Sequence, residues 1–533
     1  MKTQLGGRFL WVEIVLAGLL VALLSFYALE LANPQLYAPG RDGGFFMYVG
    51  QQLARGSTLY TQLWDSKGPL IFWINALGMG TSGNRWRLFL LEFSFMAIWL
   101  GLAYYILRRQ FGVYAAILGT ICGAFCFKLA IGLGNFTEEY SLLFTWLSLG
   151  AFAWLLVKPK RRFWPFVLIA ASMVLSFLLR ANNTGTQAAV VLAAFSIAIK
   201  RDGFKPLGKA FAGLLTGALL VFLPVIVALA LRGNLRAMWE ASFVYNFAYS
   251  VSGGEKAQTL AVINASLLPG MKLFGAWGWF IGLGWLIALA RVWQNRSTLQ
   301  AAPWALLAAF AFPIEVIFSS ISGRQFTHYF ICWVPVTMLL TAITIDFFLE
   351  DLIRLDLASK LKQIKTPLLL LTSIAALLFC YFNPIYRTAR SSAAAILLPN
   401  RDNEFRSVLA KRVAELSDPG DRVLVFAGQA GINVMAERDS IDAALFYPAI
   451  NNSPIGLSVQ AEYFETLKPQ MPRLILDGHQ LYPQQLPAID PEERAKQDFQ
   501  VDFSANLPEV LAWINEHYTL VQGLEDYLIF RLR

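Results

Sequence analysis

Several acidic and basic residues of this chain stand where long apolar stretches begin or end. In "GRDGGFFMYVGQQLARG", Asp42 lies between an arginine and two glycines, with Tyr48 a little further on. In "NFTEEYSLLF", Glu138 and Glu139 open another apolar run. A carboxylate at such a rim can take a proton from a hydroxyl, hold a divalent cation, or cap a helix whose N-terminal dipole favours negative charge. Cations occur in similar settings: Lys67 beside Asp65 in "LYTQLWDSKGPLIFW", Arg180 beside Asn182 and Asn183 in "LLRANNTGTQ", and Arg324 ahead of His328 in "SSISGRQFTHYF". On a helix Arg324 and His328 would share a face, suited to gripping a phosphate by charge-assisted hydrogen bonds. With only three histidines in the chain and no cluster of metal-ligand spacing, that duty fits His328 better than a metal does.

The elements that must position these residues are set by composition. Of 533 residues, 56% are hydrophobic and 15% charged, against about 25% charged in soluble domains. Several segments run close to the roughly 20 apolar residues that cross a hydrocarbon layer. The chain therefore reads as a polytopic α-helical membrane protein, with about 11 transmembrane helices. Their expected places are 9–31, 87–107, 113–127, 140–157, 163–179, 186–199, 210–231, 268–290, 302–320, 328–345 and 366–382. The first is too long for a signal-peptide core and reads as a retained span. The four cysteines lie in or beside apolar segments and read as packing residues, not as a disulfide framework.

Orientation follows from the basic loops at Arg108, Lys158, Lys200, Arg291 and Arg354 to Lys365, which alternate onto one side. That places the N-terminus in the cytoplasm and makes the net charge of +9 a topology signal, not a nucleic-acid footprint. The opposite side receives the 32–86 loop, the Glu138 loop, the Arg180 turn, the 232–267 loop and the Arg324 loop. In the first of these, Phe45, Phe46, Val49 and Leu53 recur at helical spacing, so a helix lying flat on the membrane is expected, with Gly43 and Gly44 leaving room beside Asp42. An arginine such as Arg180 at that depth snorkels or finds an anion. Glu92 and Glu315 fall inside spans, where an acid is costly unless paired or part of a proton relay.

The chain divides into a membrane domain over 1–390 and a soluble α/β domain over 391–533, which this topology makes extracytoplasmic. "DRVLVFAG" and "PRLILDG" read as buried strands, "YTLVQGLEDYLIFRL" as a terminal hairpin, and "NEFRSVLAKRVAEL" and "PEVLAWINEHY" as helices. No glycine-rich nucleotide fingerprint follows a strand there.

Four stretches together resemble the lipid-linked-sugar glycosyltransferases of the GT-C fold, the superfamily of protein O-mannosyltransferases and bacterial aminoarabinose transferases. They are Asp42 with "YVGQQLARGSTLY", "WDSKGPLIFWINAL", "NFTEEYSLLF" and "GRQFTHYF" with the later "VP". The resemblance spans most of residues 1–382 and departs from the family pattern at Gly68-Pro69 after Lys67 and at the paired glutamates. It implies transfer of a sugar from a polyprenyl-phosphate donor to a lipid, glycan or protein acceptor on the outer face of the cell membrane, with inversion. Asp42 would be the general base, and Arg324, His328, Arg180 and Lys67 would bind the donor phosphate. Glu138 and Glu139 would orient the acceptor, or Glu138 would hold a Mg or Mn ion together with Asp42. Tyr48, Asp65 and Asn183 are further substrate-site candidates. Two other readings stand beside it. A transporter or flippase of a lipid-linked sugar would use Glu92, Glu315 and the same arginines. A non-catalytic scaffold would leave the acidic and basic loops without a purpose.

Overall fold

A computed structural model describes residues 7–533 apart from 159–161, 206, 249–258, 322–325, 355–365, 398–400 and 443–453; the side chains of 7–10, 259–265, 300 and 350–354 are likewise not described. The membrane part opens with α1 (Gly7–Ala28), α2 (Arg41–Ala54) and α3 (Pro69–Met79). It continues with α4 (Arg85–Gln110), α5 (Val113–Ile131), α6 (Thr137–Val157), α7 (Phe163–Leu179), α8 (Gly185–Asp202) and α9 (Leu207–Leu231). Among the described residues nine helices are long and apolar enough to cross a membrane, and the protein is a multi-pass membrane protein. With the shorter α7 and with α8, which ends in Lys200, Arg201 and Asp202, they match the expected spans one for one, with three differences.

The segment expected over 268–290 is two helices, Thr259–Leu273 and Ala276–Gln294, parted where Gly275 adopts φ 57°. Glycine is the residue that takes this left-handed turn without a steric penalty. The segment expected from 328 begins as a 3-10 turn, Thr327–Trp333, before the helix Val334–Arg354. His328 is therefore not on the α-helix imagined for it, and Arg324 lies outside the described residues. The last span, expected to stop at 382, continues as a helix to Leu397 past a break at Tyr381, close to the helix-breaking Pro384. Its extension is tied to the end of α1: Arg387 pairs with Glu30 at 2.5 Å and Ser391 accepts from Asn33 at 2.6 Å.

Beyond the bundle, four strands make one sheet in the order β1-β2-β4-β3: β1 (Val423–Phe426), β2 (Leu474–Asp477), β3 (Tyr518–Leu524) and β4 (Tyr527–Leu532). β1 and β2 are parallel, and the β3–β4 hairpin adds antiparallel to β2. All four residues of both β1 and β2 are buried, the apolar runs together with Asp477 at the end of β2. Helices Val408–Glu415 and Leu507–His517 fall where their apolar spacing was read, and Ser407 caps the first by accepting from Ala410 N–H at 3.1 Å. The sheet and its helices enclose a core of their own.

A third core joins the two parts. It gathers Phe45, Phe46, Tyr48 and Val49 of α2, Ile71 and Phe72 of α3, Tyr140 of α6, Leu178 and Leu179 of α7, and Ala430 and Val434 from the segment after β1. The apolar face of α2 thus packs on protein, not on lipid, and every residue from Gly43 to Gln52 is buried. Gly43 and Gly44 are needed for that packing. A Cβ on Gly43 would stand 2.8 Å from the Gly134 carbonyl oxygen, and one on Gly44 2.7 Å from the Gly431 Cα. They admit neighbouring backbone and do not leave open room beside Asp42.

Candidate functional site

Six chain segments converge at the end of the bundle covered by α2 and α3. α2 starts at Gly40, whose extended backbone caps the helix without a side-chain bond, so Asp42 is not the cap. Asp42 sits in the first helical turn, half-buried, and among the described residues its carboxylate makes no hydrogen bond or ion pair. It lies within electrostatic reach of Asp65, Lys67 and His328.

Asp65 is buried, and its Oδ1 accepts from the backbone N–H of Lys67 at 2.7 Å in a side-chain turn that fixes the loop before α3. The Lys67 ammonium comes back to the same oxygen at 4.0 Å. The Lys67 carbonyl in turn accepts from the Tyr60 and Ser242 hydroxyls, each at 2.9 Å. Burial raises the Asp65 carboxyl above its ordinary range, against the pull of Lys67. Burial also lowers the Lys67 ammonium, but the Asp65 and Asp42 carboxylates outweigh it and the net shift is upward. Lys67 therefore stays charged at neutral pH.

Glu138 opens α6 and is fully committed. Its Oε1 accepts from Arg180 at 2.6 Å and its Oε2 from the Thr137 hydroxyl at 2.8 Å. Arg180 ends α7 in an extended conformation, with its guanidinium 4.0 Å over the centre of the Tyr329 ring. Burial works against its charge, yet Tyr329 and Glu138 more than compensate and hold it above the usual arginine range. His328 lies flat between Phe136 and Phe326, with ring centres 4.4 and 5.6 Å away. Glu138 and Arg180 are both within its electrostatic reach.

Not every expected residue joins this group. Glu139 turns back to its own helix start, where Oε2 accepts from Asn135 N–H at 2.9 Å and Phe136 N–H at 3.3 Å, so it is the capping acid. Tyr48 points the other way and its hydroxyl accepts from Ser440 N–H at 2.6 Å. Asn183 is buried behind Arg180, 3.6 Å from the Cys332 sulfur through its oxygen. Glu315 holds the start of α8, accepting from Thr186 N–H at 2.6 Å and from the Thr186 hydroxyl at 2.5 Å. In the paired-metal reading of Asp42 and Glu138, a cation would have to share Glu138 oxygens that already accept from Arg180 and from the Thr137 hydroxyl. Among the described residues no three His, Cys, Asp or Glu side chains come together as a metal site. Asn135 and Tyr329 were not read from the sequence. The signals for them were an asparagine after two glycine-containing steps in "GLGNFTEEY" and an aromatic beside His328.

Neither a family model nor a curated protein sequence matches the chain. Solved structures do. The aminoarabinose transferase ArnT from Cupriavidus metallidurans, in the apo state, superposes with a TM-score of 0.58 at 14% identity over 98% of both chains. The same protein bound to undecaprenyl phosphate gives 0.55, also at 14% identity and over 98% of both. The chain has the GT-C fold. A more distant member of that fold, the apo oligosaccharyltransferase from Archaeoglobus fulgidus, gives 0.50 at 13% identity over 88% of this chain and 70% of the other. The GT-C likeness to ArnT takes in the sheet-bearing C-terminal part as well as the helices, since the match covers 98% of each chain.

Proposed function

We propose that this protein is an integral-membrane glycosyltransferase that moves a sugar from a polyprenyl-phosphate donor to an acceptor on the outer face of the cell membrane. One observation carries the reading. Asp42, whose carboxylate makes no hydrogen bond or ion pair among the described residues, lies within electrostatic reach of Lys67, itself within reach of the Glu138-braced Arg180, at one end of a GT-C bundle. The ArnT structure with undecaprenyl phosphate supports the donor class. In this reading the N-terminus is cytoplasmic, and residues 391–533 form an extracytoplasmic domain against the membrane domain of residues 1–390.

Asp42 takes the proton of the acceptor hydroxyl as its oxygen attacks the anomeric carbon. The bond from that carbon to the phosphate oxygen breaks, and its electron pair leaves with the polyprenyl phosphate. Attack from the face opposite the leaving group inverts the anomeric configuration. Lys67 and Arg180 stabilise the growing phosphate charge, and preset cations do this with little reorganisation; Arg324, which the sequence offers for the same role, lies outside the described residues. Glu138 and Tyr329 hold the Arg180 guanidinium in place. No step is routed through a metal ion. The transporter reading is weaker, because Glu315, one of its two buried acids, is engaged in holding α8.

The donor site is tested by measuring binding of polyprenyl-phosphate sugars to the protein in nanodiscs. Replacing Lys67 by Ala removes a charge-assisted contact and should weaken binding about tenfold or more. Failure of the wild type to bind any polyprenyl-phosphate sugar, or equal affinity in the variant, would overturn the assignment.

A further inference from the structure

Asn135 precedes the acidic start of α6 and is completely buried, in the left-handed region with φ 62°. Asparagine tolerates that conformation better than most residues. Its side chain uses its full hydrogen-bonding capacity. One donor position goes to the carbonyl of Gly43 at 3.0 Å and the other to Asn75 Oδ1 at 2.8 Å. Its oxygen accepts from Asn75 Nδ2 at 3.1 Å and from the Tyr140 hydroxyl at 2.9 Å. Its backbone N–H is held by Glu139 at 2.9 Å.

Three elements that carry or flank the site therefore meet at this one residue: α2 through Gly43, α3 through Asn75, and the start of α6 through Tyr140 on the side chain and Glu139 on the backbone N–H. Gly43 is the residue directly after Asp42, so the carbonyl that Asn135 grips moves with the proposed base. Glu138, which braces Arg180, lies three residues further along the chain from Asn135. A Cβ on Gly43 would press on the Gly134 carbonyl, so α2 and this loop are already at backbone contact and the bond fixes where along the contact they sit. We infer that Asn135 is the positioning residue that sets the start of α2, which carries Asp42, against the start of α6, which carries Glu138, through its bond to the Gly43 carbonyl. It touches no substrate. The inference rests on the proposed transfer reaction for its effect on rate, and on geometry alone for the coupling of the two segments.

Asn75 supplies the control. It shares the reciprocal amide pair but bonds neither Gly43 nor any residue of α2 through its side chain. Asn135→Gly keeps the left-handed backbone at no steric cost and deletes only the amide. Asn75→Ala deletes the other half of the pair and leaves the Gly43 bond in place. In the Asn135→Gly variant kcat for transfer should fall about 10- to 100-fold, the scale expected when a reacting group is misplaced by about 1 Å, with donor KM little changed. Backbone amides of residues 43–48 should exchange hydrogen faster. Asn75→Ala should lower the melting temperature while keeping kcat and the exchange of residues 43–48 near wild type. If Asn135→Gly does not fold, Asn135→Ser, whose hydroxyl is too short to span both partners, takes its place. Wild-type kcat and exchange in the Asn135 variant, or equal losses of kcat in the two variants, would overturn the inference. The exchange comparison needs no substrate. If the wild type turns over no polyprenyl-linked donor the transfer reading fails, while the coupling is still judged.

Discussion

The Tyr48 hydroxyl accepts from the backbone N–H of Ser440 at 2.6 Å, and both residues are buried. Removing it leaves that N–H without a partner in a dry place, which costs about 1–3 kcal/mol. Tyr48→Phe should lower stability by that amount in an unfolding titration. Arg55→Ala, which removes only exposed contacts with Asp439 and the Thr81 carbonyl, should cost less than about 1 kcal/mol. Equal effects of the two would contradict this ranking of the contacts that hold α2. The same region shows what a sequence discloses at the scale of single residues. That Asp42, Asp65, Lys67, Glu138 and Arg180 gather at one end of the bundle was legible, because charges at the rim of apolar segments are costly and are drawn together. Glu138 and Glu139 were not separable, since neighbours on a helix differ only by a turn of about 100°. That turn sends one to Arg180 and the other to its own backbone. Asn135 was hidden because a buried neutral amide carries no charge to mark it.

The loop between α2 and α3 is the element on which the proposed donor site depends most. A Cβ on Gly68 would overlap the carbonyl oxygen of Leu178, two residues before Arg180. Gly68→Ala must push the Lys67 loop away from the end of α7. The overpacking should cost about 1–3 kcal/mol, and donor affinity should fall with it. Gly18→Ala, where a Cβ meets nothing within 4 Å, is the control expected to be neutral or slightly stabilising. Unchanged donor affinity in Gly68→Ala would separate this loop from the site. The spans themselves were readable from length and hydropathy. The face of α2 was misjudged, because an amphipathic pattern states that one side is covered and not whether lipid or protein covers it. The break at Gly275 and the extension to Leu397 depend on one backbone angle and on contacts with α1, neither of which periodicity reports.

At the scale of the molecule, the C-terminal part builds one wall of the site helix. Gly431 meets Gly44, Ser440 meets Tyr48, and Asp439 accepts from Gln52 at 2.7 Å and Arg55 at 2.9 Å along successive turns of α2. Arg85, at the start of α4, donates to the carbonyls of Pro34, Tyr37 and Phe405 and so ties the first loop to the segment leading into the sheet. The contacts that reach from α2 and α4 into the C-terminal part join residues some 300 to 400 positions apart, and no local pattern in the sequence encodes them. They leave Asp42 on a helix held from both sides, without a hydrogen bond or ion pair among the described residues and within electrostatic reach of Lys67. The most direct test of this arrangement is single-turnover transfer from a polyprenyl-phosphate sugar, comparing wild type with Asp42→Asn in nanodiscs. Asp42 makes no bond among the described residues, so the variant should melt at the wild-type temperature and lose transfer by about 100-fold or more. Transfer at the wild-type rate by folded Asp42→Asn would contradict the account.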